Sequence, residues 1–386
     1  MAVDEVAKAL EHATVKDAPS EALFWAYYAA VNEDPKIETF SAQALQRVMS
    51  ELSQTFHPPW LFQGSLWRAW VIAHTVDDEA AELSLLASFD RKLLQFLAPA
   101  RLTLTDTGVI SGLSGILIYA LERHRGGATG VSRSICELAF ARIAQLAVET
   151  DEGVHWPTTD TPERLAEMPN GFTFCGPGHG VAGIIGVLSA VHRQKLADCD
   201  FLIRRGEQWL ANQRTSAMPL WRDVHVVSPG IAPELSKWLS WCSGSLSTAI
   251  MRWQARNTLG LPVAEALAQI RACAMVEPAD FPTNNAALCH GALGNAHLFH
   301  RCWDATGEEL FRTAANRWLM EAFALRSYDP GRPGFITTFD GEPLPHDFLW
   351  GNAGIGLALM SLLGNEAPGW DRLLGLSVEL ARGDGC

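Results

Sequence analysis

Along most of the chain a short cluster of glycine and small residues is followed by an apolar segment with helical spacing, and the unit then recurs. Six copies are legible: Gly64-Ser-Leu-Trp-Arg-Ala-Trp, Gly112-Leu-Ser-Gly-Ile-Leu, Gly180-Val-Ala-Gly-Ile-Ile-Gly, Ser243-Gly-Ser-Leu-Ser-Thr-Ala, Gly291-Ala-Leu-Gly-Asn-Ala and Gly351-Asn-Ala-Gly-Ile-Gly-Leu-Ala, starting 48 to 68 residues apart. After each cluster the apolar positions fit a buried helix, as in Ile116, Leu117, Tyr119, Ala120 and Leu121, or Ile355, Leu357, Ala358, Met360, Leu362 and Leu363. Between them lie amphipathic stretches such as Ser134 to Thr150 and Leu310 to Ser327, charged on one face and apolar on the other. Each repeat therefore predicts a pair of helices, one inner and one outer. An open solenoid needs polar end caps, and the last repeat is as apolar as the middle ones, so the pattern predicts a closed ring. The expected fold is all-α, an (α/α)6 toroid, in one domain over residues 1–386: a helical lead-in over 1–60 and repeats over 61–363. The Pro-rich and polar stretches Asp151 to Gly171 and Thr215 to Pro233 are expected as loops.

Composition narrows the function classes. With 48% hydrophobic and 19% charged residues in 386, the chain carries enough apolar material for a large core. A net charge of −13 and the absence of any long Lys/Arg cluster argue against nucleic acid, which demands a basic face. Met1-Ala-Val-Asp-Glu-Val-Ala-Lys is charged and helical, so no secretory signal is expected there and a cytoplasmic location is. The most apolar stretch, Val181 to Val191, falls short of the about 20 residues that a membrane span requires. Eight cysteines in a chain of this length are too few for a disulfide scaffold and call for burial or metal instead.

Three of these donors occupy matching places in the repeats. Cys242 stands just before the fourth cluster, and Cys289-His290 stand at the start of the fifth. In a ring, matching places converge on one rim, so two thiols and an imidazole distant in sequence can meet around a metal. Two Cys and one His leave one tetrahedral position open, the pattern of a catalytic zinc site. A thiol substrate at that position would lose its proton at neutral pH. The bland alternative is that each Cys is a small buried hydrophobe. Cys136, Cys199, Cys273 and Cys302 fall among apolar or outer-helix residues and read that way; Cys386 is a terminal thiol, and Cys175, in a Gly/Pro-rich loop, could approach the rim. His179 takes the rim place of the third repeat, where it could donate or accept a proton opposite the metal, or merely cap a loop. His297 and His300 read as wall or core residues, and His346 and Asp347 as candidates for the mouth.

Taken together, Trp241-Cys242-Ser243-Gly244, Cys289-His290-Gly291, Gly178-His179-Gly180-Val-Ala-Gly183, Gly112-Leu-Ser-Gly115 and Trp350-Gly-Asn-Ala-Gly-Ile-Gly356 resemble the lanthionine synthetase C family, the LanC-like cyclases of lanthipeptide biosynthesis, over roughly residues 60 to 363. The resemblance implies a zinc enzyme that adds peptide cysteine thiols to dehydroalanine or dehydrobutyrine, closing (methyl)lanthionine thioether rings. It implies Cys242, Cys289 and His290 as Zn2+ ligands, and His179 as the group that protonates the enolate carbon or takes the incoming thiol's proton. Three positions depart from the family pattern. The Asp that the family carries shortly before the second Gly cluster is replaced by Gly108, with Asp106 two residues earlier as the candidate catalytic carboxylate. Trp238, beside Lys237, stands where a basic residue is usual, and Ser243 where an aromatic is usual. These departures bear on the substrate and on proton transfer more than on the reaction class.

The implied partner is a dehydrated precursor peptide with leader and core, together with a dehydratase and an exporter that would hold the protein peripherally at a membrane. An acidic leader would not be drawn in by a chain of charge −13, so a leader groove is expected to be local and partly apolar, with some of the 14 tryptophans lining it. Two alternatives stay open: addition of a small thiol such as glutathione to dehydroamino acids, and a zinc-stabilised scaffold that grips a peptide without catalysis. Toroidal glycosidases fit less well, because they need paired carboxylates on the rim.

Overall fold

The computed structural model describes residues 2–12, 17–54, 59–62, 64–99, 104–158, 172–214, 224–226, 239–281, 283, 285–327, 334–335, 338–339, 342–343, 347–364 and 368–376. Helices dominate them: α1 Ala2–Glu11, α2 Ala18–Ala30, α3 Pro35–Gln54, α4 Ser65–Thr75, α5 Glu79–Leu97, α6 Leu113–Arg125, α7 Thr129–Leu146, α8 Val181–Arg193, α9 Asp200–Asn212, α10 Ser245–Thr258, α11 Ala264–Ala274, α12 Ala292–Thr306, α13 Glu309–Ala324 and α14 Asn352–Leu363. Three two-stranded antiparallel ribbons, Val148–Thr150 with Gly153–His155, Phe172–Phe174 with Val224–Val226, and Thr338–Phe339 with Glu342–Pro343, sit in the connections.

The fold is an α/α toroid. Helices α4, α6, α8, α10, α12 and α14 each begin at one of the glycine clusters and pack against the next around an inner ring, with amphipathic partners outside them. The expected lead-in is also part of the ring: α2 lies between α14 and α4 and pairs with α3, so residues before the first repeat fill a seventh sector. No glycine heads α2; Asp17 stands at its N-cap, with Pro in the first turn, and its Phe24 and Leu23 are fully buried. A salt bridge between Glu5 of α1 and Arg326 after α13 fastens the start of the chain to its last third.

The second glycine of the cluster has a packing reason. A β-carbon on Gly115, Gly183, Gly294 or Gly354 would lie 2.5, 1.9, 2.0 or 1.8 Å from the carbonyl oxygen of the residue six earlier (Val109, Pro177, Leu288, Phe348). In these four repeats the turn thus folds back on the first turn of the helix it feeds, so closely that only glycine fits. In the fourth repeat Ser247 replaces this glycine, and its hydroxyl donates to the Ser240 carbonyl at 2.7 Å.

Inner and outer layers are pinned by buried ion pairs. Arg123 of α6 engages Glu82 and Asp90 of α5, and Arg252 of α10 donates to Glu207 of α9 at 2.5 and 3.0 Å. The end of the ring formed by helix C-termini is stopped by a 3-10 segment, Gly369–Leu374. Its Arg372 donates to Glu122 of α6 at 2.7 and 2.8 Å, and its Leu374 carbonyl accepts from the Trp241 indole at 2.9 Å.

Candidate metal centre

The turns ahead of the inner helices are hydrogen-bonded one to the next around the other end of the ring. Phe62 N–H donates to Ile110 O at 3.2 Å, Val109 and Ile110 to Gly178 O at 3.0 and 3.2 Å, Gly178 to Cys242 O at 2.8 Å, Trp241 to Cys289 O at 3.1 Å, and Cys289 to Leu349 O at 2.9 Å. Phe62, Ile110, Gly178, Cys242, Cys289 and Leu349 each stand two residues before a capping glycine. The repeat therefore places one residue of each of its six copies on a common rim, and stacking of Phe62 on Phe348, ring centroids 5.9 Å apart, spans the remaining gap. Two of those rim residues are the cysteines singled out in the sequence.

The Sγ atoms of Cys242 and Cys289 and a ring nitrogen of His290 all lie within 4.8 Å of one another. His290 Nε2 is 2.8 Å from Cys242 Sγ, and its ring stacks on Trp350 at 4.7 Å. Both thiols are buried. They share a proton unequally: hydrogen bonding from Cys289 and His290 outweighs burial and holds the Cys242 thiol well below the usual thiol range. Burial, then the neighbouring Cys242 sulfur, pushes the Cys289 thiol well above it. Two soft thiolate donors and one imidazole at this separation fit a zinc ion, and they fit the harder cations poorly.

These donors form part of the lining of a cavity of about 330 Å3, with Asp17, Phe62, Trp67, His179, Asp347 and Trp350 around them. His179 is exposed on the turn that precedes α8, its ring 5.6 Å from that of Phe174, and its charge bears on Cys242. Asp347 also lines the cavity; burial raises its carboxyl to about 6, Asp17 adds to that, and the backbone N–H groups of Trp350, Gly351 and Leu349 act the other way. Its Oδ1 accepts from Trp350 N at 2.6 Å and Gly351 N at 3.1 Å, so it also caps the turn.

Asp106 is not among the residues lining the cavity. Its carboxylate accepts from Gly108 N at 2.7 Å and from the Ser111 hydroxyl at 2.6 Å, and its carbonyl accepts from Leu113 N at 3.0 Å. Asn285, at the matching place of another repeat, does the same toward Ala287 N and Ala292 N at 3.1 and 3.2 Å. A turn-building role is therefore sufficient to explain a short polar side chain there. A β-carbon on Gly108 would sit 3.1 Å from Asp106 Oδ1 and 3.0 Å from the His179 Cα, so Gly108 leaves open the space between the Asp106 carboxylate and the His179 backbone.

Of the other residues, Cys175 is buried and outside the donor cluster. His297 lies in the core, 3.2 Å from Asp371, and His300 is 3.7 Å from Asp304. His346, Trp238, Lys237 and Cys386 lie outside the described residues. The sequence reading did not find Asp17, Phe62 or Trp67. Asp17 heads the helix without a glycine cluster, and its signal was the Asp17-Ala-Pro19 helix start, a cap followed by proline.

A toroid whose inner-helix turns bring two cysteine thiols and an imidazole to one mouth defines the class of the protein. The sequence model described as "Lanthionine synthetase C-like protein" matches residues 18–374, and the chain belongs to that family. Among solved structures it is similar to one titled "Nisin cyclase", with a TM-score of 0.71 and 17% sequence identity over 95% of this chain and 92% of that one. No curated protein matches it.

Proposed function

We propose that this protein is a zinc-dependent lanthipeptide cyclase: it adds cysteine thiolates of a dehydrated precursor peptide to dehydroalanine or dehydrobutyrine and so forms (methyl)lanthionine. The observation that carries the reading is the convergence of Cys242, Cys289 and His290 on the floor of the mouth cavity. These three would hold zinc, whose chemistry is to stabilise a substrate thiolate at neutral pH. Trp350 keeps the His290 ring in place by stacking, and the hydrogen-bonded turns fix both cysteine backbones before any ligand arrives. Conjugate addition forms one C–S bond at the β-carbon and needs one proton at the α-carbon. His179, across the cavity, takes the thiol's proton and returns it to that carbon, so the peptide's mass is unchanged. On this reading Asp106, across Gly108 from the His179 backbone, would help orient His179. The aromatic walls, Phe62, Trp67 and Trp350, suit a short apolar piece of peptide.

The substrate on this reading is a leader-bearing peptide supplied by a dehydratase, met in the cytoplasm or at a membrane-attached complex. No helix of the described residues is long and apolar enough to cross a membrane. The test is incubation of the purified protein with a dehydrated, cysteine-containing peptide. Loss of alkylatable thiols at constant mass, abolished in Cys289→Ala, supports the proposal. Retention of all thiols by a zinc-loaded enzyme sinks it, and adducts with the mass of glutathione would move the reaction to a small-thiol donor.

A further inference from the structure

The segment Gly369–Leu374 climbs from the helix C-termini into the lumen of the ring. A β-carbon on Gly369 would lie 2.9 Å from the Tyr27 hydroxyl and 3.3 Å from the His74 ring, in the last turns of α2 and α4. One on Gly375 would instead lie 3.5 Å from Val187 and 3.7 Å from Met251, in the middle of α8 and α10. From there the segment touches the metal-centre end at two points. The Trp370 ring meets the Phe348 ring edge-on at 5.6 Å, and Phe348 lines the mouth cavity. The Leu374 carbonyl accepts from the Trp241 indole at 2.9 Å, and Trp241 directly precedes Cys242. The backbone N–H of the same Trp241 donates to Cys289 O at 3.1 Å. One fully buried residue is therefore tied to the C-terminal segment by its side chain and to both cysteines by its backbone.

The blander account is that a buried indole must find an acceptor somewhere and that Trp241 only fills the core. The repeat argues against it. Leu61, Val109, Pro177, Leu288 and Phe348 hold the same place, three residues before the capping glycine of their repeats, and all are buried side chains without a donor. Packing at that place therefore needs no hydrogen bond. The donor appears in the repeat whose next residue is Cys242, and it is spent on the C-terminal segment. We propose, resting on the zinc reading above, that Trp241 is a positioning residue. Through its indole the segment Gly369–Leu374 holds the turn that presents Cys242, and holds it in register with Cys289, so that this contact sets the affinity and geometry of the metal centre.

Full-length wild type, Trp241→Phe and Trp156→Phe test this. Trp156 is the matched control, buried between α7 and α9, its indole donating to Ile143 O at 2.9 Å. Competition with a chromophoric chelator should show zinc bound about tenfold or more weakly by Trp241→Phe, and within about twofold of the wild type by Trp156→Phe. With cobalt(II) in place of zinc, the visible absorption bands should shift in Trp241→Phe alone. Equal zinc affinity in all three proteins, or equal loss in both variants, overturns the proposal. Hydrogen exchange of the metal-free proteins needs no zinc: the amide of residue 241, which donates to Cys289 O, should exchange faster in Trp241→Phe than in Trp156→Phe. Equal exchange there also overturns it. A wild type that binds no zinc would sink the cyclase reading and leave this exchange result to decide the positioning role. Should Trp241→Phe not fold, zinc added to the wild type should slow exchange of the Gly375 amide, which donates to Arg372 O, because the coupling is reciprocal. Absence of that protection overturns the proposal.

Discussion

At the residue scale the unequal sharing of a proton by Cys242 and Cys289 makes the two thiols distinguishable. In chelator-treated protein at pH 7, Cys242, lowered and facing the cavity, should be alkylated ahead of Cys136 and Cys199, whose thiols burial pushes up to about 12. Peptide mapping by mass spectrometry reads the order, and equal labelling of all three would contradict the assignment. Metal content gives the second prediction: about one zinc per chain in the wild type and none retained in Cys289→Ala, measured by plasma mass spectrometry. Asp106 can be separated from a mere turn-former by Asp106→Asn. Asn285 shows that an amide satisfies the same backbone donor, so the variant should keep its melting temperature. If Asp106 orients His179, cyclisation should slow about tenfold or more; an unchanged rate would leave Asp106 as a turn residue alone.

At the scale of the element, the close approach of each turn to its helix makes the second glycine of the cluster costly to replace. Gly294→Ala would place a β-carbon 2.0 Å from Leu288 O, on the turn that carries Cys289 and His290. The loss should be about 1–3 kcal/mol by thermal denaturation, with weaker zinc retention as the turn shifts. Gly130, inside α7 with nothing within 4 Å, is the control: Gly130→Ala should stabilise by about 0.5–1 kcal/mol. The 3-10 stopper makes a pH prediction. Burial pushes the Glu122 carboxyl up, but hydrogen bonds and charges from Arg372 and His74 outweigh it and hold it at about 2. A carboxyl lowered on folding contributes stability above its unfolded value, near 4.5, and loses it as pH falls toward 2. The wild type should therefore lose on the order of 3 kcal/mol across that window relative to Glu122→Gln, which should be less stable at neutral pH but flatter in acid, as chemical denaturation at each pH would show.

At the scale of the molecule, α2 and α3 complete the ring rather than lead into it. Removing residues 1–54 would uncover the faces of α4 and α14 that α2 covers, together with their buried apolar side chains. The truncated chain should aggregate or elute as a broad soluble oligomer on size exclusion, and a monomeric truncation with native helical content would show that six sectors are enough.

The amino-acid sequence alone determined the repeat, because in five of the six copies close packing of a turn on its helix admits only glycine or a compensating serine, and that constraint stays visible along the chain. It also determined the donors, since Cys242 and Cys289 hold the same place relative to their capping glycines. The seventh sector was hidden for the complementary reason: α2 starts on Asp17 and proline, which announce a helix but not its membership of the ring. Tertiary structure alone decided which charges face each other. Asp17 beside Asp347, and Arg125, Arg193, Arg301 and Arg372 at the opposite end, come together from distant stretches of chain. Burial and through-space fields, which no local pattern encodes, set what those groups do.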